Sequence, residues 1–371
     1  SVGELQRVEV LKALSHETRL LILDEPTAVL TPSETDDLFV VVRELAKSGV
    51  AVIFISHKLD EVLAIADEVT VIRDGRVIDT VPAAGLTKER IATMMVGREV
   101  LLRIEHTPAN PGDTVLDVAS LTVVDDRGVT ALDHVSLSVR AGEIVGIAGV
   151  DGNGQTELIY AITGLSRAES GSVLVNGEDV TRLSVKERIE RGVGHIPEDR
   201  HRHGLVLDFS VAENVVLKNF DKAPYSSRLG VLDAGRMAAH AGELIAQYDI
   251  RAGEGPWMKA RNMSGGNQQK VIIAREIDLS PAVLVVAQPT RGLDVGAIEY
   301  IRKRIVSERD KGRAVLLVSF ELDEIMNLCD RIAIISKGEV AGIFNEGEAD
   351  ERTIGFMMAG SRAADDKGAA R

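Results

Sequence analysis

The sequence predicts an α/β fold with a largely parallel sheet, built around a phosphate-binding loop and repeated within one chain. Three observations carry that prediction. Short apolar runs rich in β-branched residues alternate with helical patterns. The chain matches itself at a constant offset of 263 residues. A glycine-rich turn sits between one apolar run and a helix.

The repeat comes first because it sets the organisation. Gln6-Arg7-Val8 falls on Gln269-Lys270-Val271, and Leu21 to Pro26 on Leu284 to Pro289. Leu59-Asp60-Glu61 falls on Leu322-Asp323-Glu324, and Met94 to Gly97 on Met357 to Gly360. The match runs without gaps from 1–97 to 264–360. The second segment is preceded by about 150 residues of its own, from 113 to 263, and the first by none. The expectation is an incomplete first domain (1–97), a linker (98–112) marked by Pro108, Pro111 and Gly112, a complete second domain (113–360) and a flexible tail (361–371). On that reading the chain begins inside a domain.

Taken in order, Leu20 to Leu23 and Val50 to Ile55 read as strands buried on both faces, as do Val283 to Val286 and Val315 to Val318. Ser33 to Lys47 and Ala297 to Lys311 read as the helices between them. Val115 to Val118 and Val135 to Val139 alternate like half-exposed antiparallel strands. Glu143 to Ala148 reads as a strand and Glu157 to Leu165 as a helix. Between these two lies Gly149-Val150-Asp151-Gly152-Asn153-Gly154-Gln155-Thr156, the template G-x-x-x-x-G-K-[ST] with Gln155 in the lysine position. Its glycines let backbone N–H groups converge on phosphate oxygens at a helix N-terminus. Thr156 keeps a hydroxyl for Mg²⁺, but the cation for the outer phosphates is missing.

Composition removes several function classes. Among 371 residues, 45% are hydrophobic and 27% charged, which is ordinary for a globular chain and excludes wholesale disorder. Acidic residues outnumber basic ones by 57 to 43, a formal charge of −14 that argues against a broad grip on nucleic acid or anionic lipid. The single cysteine, Cys329, excludes an internal disulfide, and its place on a helical pattern reads as packing. No apolar run reaches the length needed to cross a bilayer, so any membrane role passes through a partner. His195, His201 and His203 read as a solvated loop rather than a metal site, and Trp257 as a loop anchor.

Ser264-Gly265-Gly266-Asn267-Gln268-Gln269 and Ser1-Val2-Gly3-Glu4 each stand ahead of a helix, and both resemble the signature of ATP-binding-cassette (ABC) ATPases. Asp24-Glu25-Pro26 closes its strand like that family's Walker B motif, and Ile55-Ser56-His57 resembles its switch region. The resemblance spans nearly the whole chain. It implies a RecA-like core, an antiparallel β subdomain and a helical subdomain carrying the signature. It also implies ATP and Mg²⁺ as cofactors, with sites that pair one cassette's phosphate loop with the other's signature.

Residue by residue, the resemblance makes Asp24 a metal ligand, Glu25 the general base and His57 the γ-phosphate contact. Ser264, Gly265, Gly266 and Gln268 would close that site. Its phosphate loop would lie about 110 residues upstream of Ser1, so the 371 residues alone are expected to hydrolyse no ATP. The other site would combine Gly149, Gly152, Asn153, Gly154, Gln155 and Thr156 with Ser1 and Gly3. At the 263-residue offset its chemistry has gone: Asp24 becomes Ala287, Glu25 becomes Gln288 and His57 becomes Phe320. No Phe, Tyr or Trp lies between Asp113 and Ala148, where the family offers an adenine-stacking ring. Weak binding without hydrolysis is expected, with drift as the alternative, since Gly292-Leu293-Asp294 and the second signature are intact. The first segment has Thr31 where the second has Asp294, as first halves of tandem sugar importers do.

Glu198-Asp199-Arg200, followed by Gly204-Leu205 and Ser210 to Asn214, resembles the coupling loop of sugar-type importers, with Glu198 in the glutamine position. The Gly149–Thr156 loop and Ala287 to Asp294 look most like the nucleoside-importing branch. The resemblance therefore implies an ATPase subunit at the cytoplasmic face of the inner membrane. Its partners would be two permease subunits and, indirectly, an extracytoplasmic solute-binding protein. A simple-sugar importer is the alternative, as is a non-hydrolytic regulatory protein if the chain is naturally short. Ribosome-acting relatives would carry a long charged linker and two competent sites, and neither appears; DNA-repair relatives insert coiled coils or zinc cysteines, and one cysteine excludes the latter.

Overall fold

The computed structural model describes residues 12, 18–27, 32–73, 75–101, 103–104 and 106–358. Ser1, Gly3, Thr31 and the 361–371 tail lie outside the described residues. The chain divides into one unit of Ser1–Leu102 with Gly292–Glu299 and another of Arg103–Arg291 with Tyr300–Arg371.

In chain order the elements are β1 (Leu20–Asp24), α1 (Pro32–Lys47), β2 (Ala51–Ile55), α2 (Leu59–Ile65), β3 (Glu68–Arg73), β4 (Arg76–Pro82) and α3 (Lys88–Val96). Then come β5 (Thr114–Val124), β6 (Thr130–Arg140), β7 (Ile144–Ala148), α4 (Gln155–Thr163), β8 (Ser170–Val175), β9 (Glu178–Asp179), α5 (Val185–Glu190) and β10 (Val193–Ile196). The remainder are α6 (Val211–Val215), α7 (Ala234–Gln247), α8 (Gly265–Asp278), β11 (Val283–Ala287), α9 (Val295–Asp310), β12 (Ala314–Val318), α10 (Leu322–Leu328), β13 (Arg331–Ser336), β14 (Glu339–Asn345) and α11 (Glu351–Met358). Adding 263 to the bounds of β1, α1, β2, α2, β3 and β4 gives those of β11, α9, β12, α10, β13 and β14. The irregularity in the β3–β4 hairpin at Val71/Ile72 recurs in β13–β14 at Ile334/Ile335.

In the larger unit a six-stranded sheet runs β10-β11-β12-β7-β13-β14. It is parallel except for β14, which returns antiparallel along β13. A separate antiparallel sheet, β6-β5-β8-β9, carries the alternation read from Val115 and Val135. Both faces of β7, β11 and β12 are buried, as five consecutive apolar or glycine residues require. Leu158, Ile159 and Ile162 of α4 pack in the same core as Val283, Val285 and Leu316. The stretch read as a linker is tied down at His106 and Thr107. Buried Arg309 donates to Asp330 Oδ1 (2.8 Å) and to the Thr107 carbonyl (2.9 Å).

In the smaller unit β1 and β2 pair in parallel from Leu20↔Ala51 to Asp24↔Ile55. Leu21 and Leu23 face Val42 and Leu38 of α1. The expectation of burial on both faces fails here: Leu20 is 51%, Ile22 58%, Ile53 48% and Ile55 45% exposed. The equivalent residues of β11 and β12 are covered because that sheet has flanking strands and α4 on its other face. Covering the four side chains fully would stabilise the sheet by about 1 kcal/mol each. Among the described residues no helix is long and apolar enough to cross a membrane.

Candidate functional site

The phosphate loop is shaped by its glycines. Gly152 (φ +85°) and Gly154 (φ +106°) adopt the left-handed region, and a Cβ on Gly154 would stand 2.5 Å from the Ala131 carbonyl oxygen. Gly154 is the N-cap of α4, so the helix opens at Gln155, two residues before the expected start. Left-handed Gly164 ends it before Leu165. Gln155 is buried and its Nε2 donates to the Val150 carbonyl (3.1 Å), closing the loop on itself. A Cβ on Gly149 would collide with that amide. Asn153 moors the loop to the turn between β13 and β14, its Oδ1 accepting from the Lys337 N–H (2.9 Å).

The end of β11 carries neutral groups. Ala287 is buried at the strand terminus and offers no ligand. Gln288 holds a left-handed backbone (φ +45°), and its N–H donates to the Val318 carbonyl (2.8 Å). Its Oε1 accepts from the Phe320 N–H (3.3 Å), while Nε2 and Gln155 Oε1 are buried without partners among the described residues. The cradle of left-handed glycines at the start of α4 fits a row of phosphates. For a divalent cation the residues nearby offer the Thr156 hydroxyl and the Glu198 carboxylate, Thr156 lowering the Glu198 carboxyl somewhat. Burial lifts the Glu198 carboxyl above the usual range, Arg291 (3.1 Å) opposes this, and Asp151 and Asp199 add to it.

The smaller unit repeats the same turn with reactive groups in place. Glu25 has φ +47°, and its N–H donates to the Ile55 carbonyl (2.9 Å). A left-handed glutamate costs about 1–3 kcal/mol and persists only where neighbours enforce it. Glu25 Oε1 lies 2.7 Å from His57 Nδ1, and Oε2 is buried without a partner among the described residues. Asp24 ends β1 one residue earlier and is exposed. The structure thus brings Glu25 and His57 together, with Asp24 beside them.

Ser264 is the N-cap of α8, with its hydroxyl accepting from Asn267 Nδ2 (2.8 Å). Gly265 and Gly266 form the first turn, and Gln268 is buried, donating to the Ala260 carbonyl (3.0 Å). Gln268 Oε1 also lies 2.9 Å from His201 Nε2. That contact joins α8 to the short π-helical turn Arg200–Gly204, which Asp199 caps. Arg200 donates to the Arg291 carbonyl (3.2 Å), and Arg291 pairs with Glu198. Sequence reading missed the His201–Gln268 link, because a histidine 67 positions from its partner leaves no periodic signal.

His195 is not in a loop. It lies on β10, beside a cavity of about 300 Å³ whose lining includes Arg188, Arg202, Lys218 and Arg275. Glu276 is buried there between Lys218 (2.5 Å) and Arg275 (2.9 Å). Burial lowers the His195 pKa to about 4, and its Nε2 is shut off from solvent without a partner although part of the ring borders the cavity. A histidine depressed below its unfolded value of about 6.5 contributes stability that is complete above that pH and lost as pH falls towards 4. Chemical denaturation should therefore show up to about 3 kcal/mol more loss between pH 6.5 and 4 than in His195→Gln.

Residues 132–291 match the ABC transporter family. The nucleoside import ATP-binding protein NupA of Lactococcus lactis subsp. cremoris is 51% identical over 97% of this chain and 71% of its own length. The chain belongs to the ABC transporter ATP-binding family. ABC import proteins of this kind are ATPases, work with membrane permease subunits and have ATP-binding domains. The guanosine import ATP-binding protein NupO of Bacillus subtilis is 52% identical over 97% of this chain and 70% of its own length. Among solved structures, a nucleotide-free ATP-binding cassette from an ABC transporter has a TM-score of 0.56 at 23% identity, covering 65% of this chain and 97% of the cassette. That likeness establishes the fold: an α/β ABC cassette.

Proposed function

We propose that this ABC protein energises uptake of nucleosides through two permease subunits fed by an extracytoplasmic solute-binding protein. It would act from the cytoplasmic face of the membrane. The chain would be a tandem of cassettes, 1–97 belonging to one and 113–360 forming the other, joined by 98–112. One site hydrolyses ATP and the other is silent. The observation that carries this is the contrast between two equivalent turns: Glu25 2.7 Å from His57 in one, Gln288 bonded to the Phe320 amide in the other.

Glu25 is the general base, His57 the γ-phosphate contact and Asp24 the Mg²⁺ carboxylate. Ser264, Gly265, Gly266 and Gln268 bind nucleotide. Gly149, Gly152, Asn153, Gly154, Gln155 and Thr156 hold a nucleotide that is not turned over. Glu198, Asp199 and Arg200, next to the basic cavity under Arg202 and Lys218, form the coupling surface. Nucleosides are favoured because relatives at 51% and 52% identity bear the names nucleoside and guanosine importer. A glucose import relative at 47% and a ribose import relative at 39% keep simple sugars as the second reading.

Proteoliposomes holding the protein with its permeases and receptor test both. ATP-dependent accumulation of labelled guanosine, unaffected by excess ribose or glucose, is expected. Uptake of ribose or glucose alone would move the assignment to sugars. Absence of any ATP turnover in the assembled system would leave only a regulatory role.

A further inference from the structure

We infer that Glu61 is a positioning residue for the Glu25–His57 pair, clamping the turn after β1 to the turn after β2. Glu61 lies in the first turn of α2 and is 8% exposed. Its Oε2 accepts from Thr27 Oγ1 (2.6 Å) and from Ser56 Oγ (3.0 Å). Ser56 Oγ accepts in turn from the Lys58 N–H (3.0 Å). Thr27 stands two residues after Glu25, and Ser56 one residue before His57. One carboxylate oxygen therefore fixes both loops whose relative placement sets the 2.7 Å contact. It also anchors the turn that holds Glu25 at φ +47°.

The threonine arm of the clamp recurs 263 residues on, where the reactive groups are absent. Thr290 Oγ1 donates to Glu324 Oε1 (2.9 Å), where Arg302 Nε also lies (3.4 Å), and the Glu321 N–H donates to Ser319 Oγ (3.1 Å). Gln288 keeps φ +45° there without a base or a histidine. The threonine–glutamate bond is thus not a by-product of the Glu25–His57 contact; it holds the turn after the first strand independently, and in the first segment the serine arm ties the second turn to it as well. The duplicate also supplies a control, since removing the hydroxyl at 290 breaks the same bond away from the chemistry.

The inference rests on Glu25 being the general base. In the importer assembled with its permeases, Thr27→Val should lower kcat for ATP about 10–100-fold, the loss expected for a misplaced reacting group. KM should stay within about twofold, because the phosphate-binding groups are untouched. Thr27→Ser, which restores the hydroxyl, should recover most of the rate. Thr290→Val should shift the melting temperature as much as Thr27→Val while leaving kcat in place. Glu61→Gln, isosteric but a weaker acceptor, gives the second reading of the same loss where Thr27→Val folds poorly. Equal kcat in Thr27→Val and wild type, or equal losses in Thr27→Val and Thr290→Val, would overturn the positioning role. Turnover that survives Glu25→Gln is a different result, since it overturns the general-base reading on which the clamp depends.

Discussion

Glu25→Gln in the assembled importer lowers ATP turnover by about 10²–10⁴-fold, the worth of a single general base, and leaves ATP binding and the fold intact. The protein already contains this substitution at the equivalent turn. Gln288 adopts φ +45° against +47° for Glu25, and its N–H bonds the Val318 carbonyl at 2.8 Å against 2.9 Å for Glu25 to Ile55. A glutamine is therefore tolerated by this backbone, and the expected change in melting temperature is small. What disappears is the carboxylate beside His57 Nδ1. The reverse change, Gln288→Glu, gives no gain, because Ala287 supplies no metal ligand and Phe320 no imidazole. Steady-state phosphate release together with nucleotide binding separates the two effects. Loss of binding in Glu25→Gln would mean that the carboxylate holds nucleotide rather than activating water.

Much of this was legible in the residues, and the exceptions have physical causes. The repeat located β1 and β11, and α1 and α9, to within two residues, because apolar runs and helical patterns are local signals. Burial was overread at β1 and β2. Leu20, Ile22, Ile53 and Ile55 look like core in sequence, yet whether a face is covered depends on what packs there, which a strand's own composition cannot state. The start of α4 precedes the expected Glu157 because Gly154 serves as N-cap through its left-handed backbone instead of through a capping side chain. Cys329 falls just past the end of α10, not within it, and is buried as expected. Trp257 sits half-exposed in a short 3₁₀ turn. The clamp at Glu61 and Glu324 had a signal, the identical Leu-Asp-Glu in both segments. Its meaning needed the folded distance to Thr27 and Thr290, 34 residues away in each case.

Gln155→Lys tightens ATP binding at the 149–156 loop by about 10–100-fold without creating hydrolysis there. A charge-assisted hydrogen bond to phosphate contributes about 1.5–3 kcal/mol, which sets that range. The position is ready for it: Gln155 is buried at the start of α4, its amide donates to the Val150 carbonyl, and its Oε1 has no partner among the described residues. A lysine can donate to that carbonyl and still reach the outer phosphates, so the loop geometry set by Gly152 and Gly154 need not change. Hydrolysis stays absent because the equivalent turn ends in Gln288, whose neutral amide cannot take a proton from water. Titration of the 371-residue chain with a fluorescent ATP analogue reads the affinity directly, since 149–156 is its phosphate-loop sequence. Unchanged affinity would show that the loop does not hold the outer phosphates, and that the neutral amide at 155 reflects a site no longer built for nucleotide. Tighter binding with new turnover would show instead that Gln288 is not what keeps this site silent.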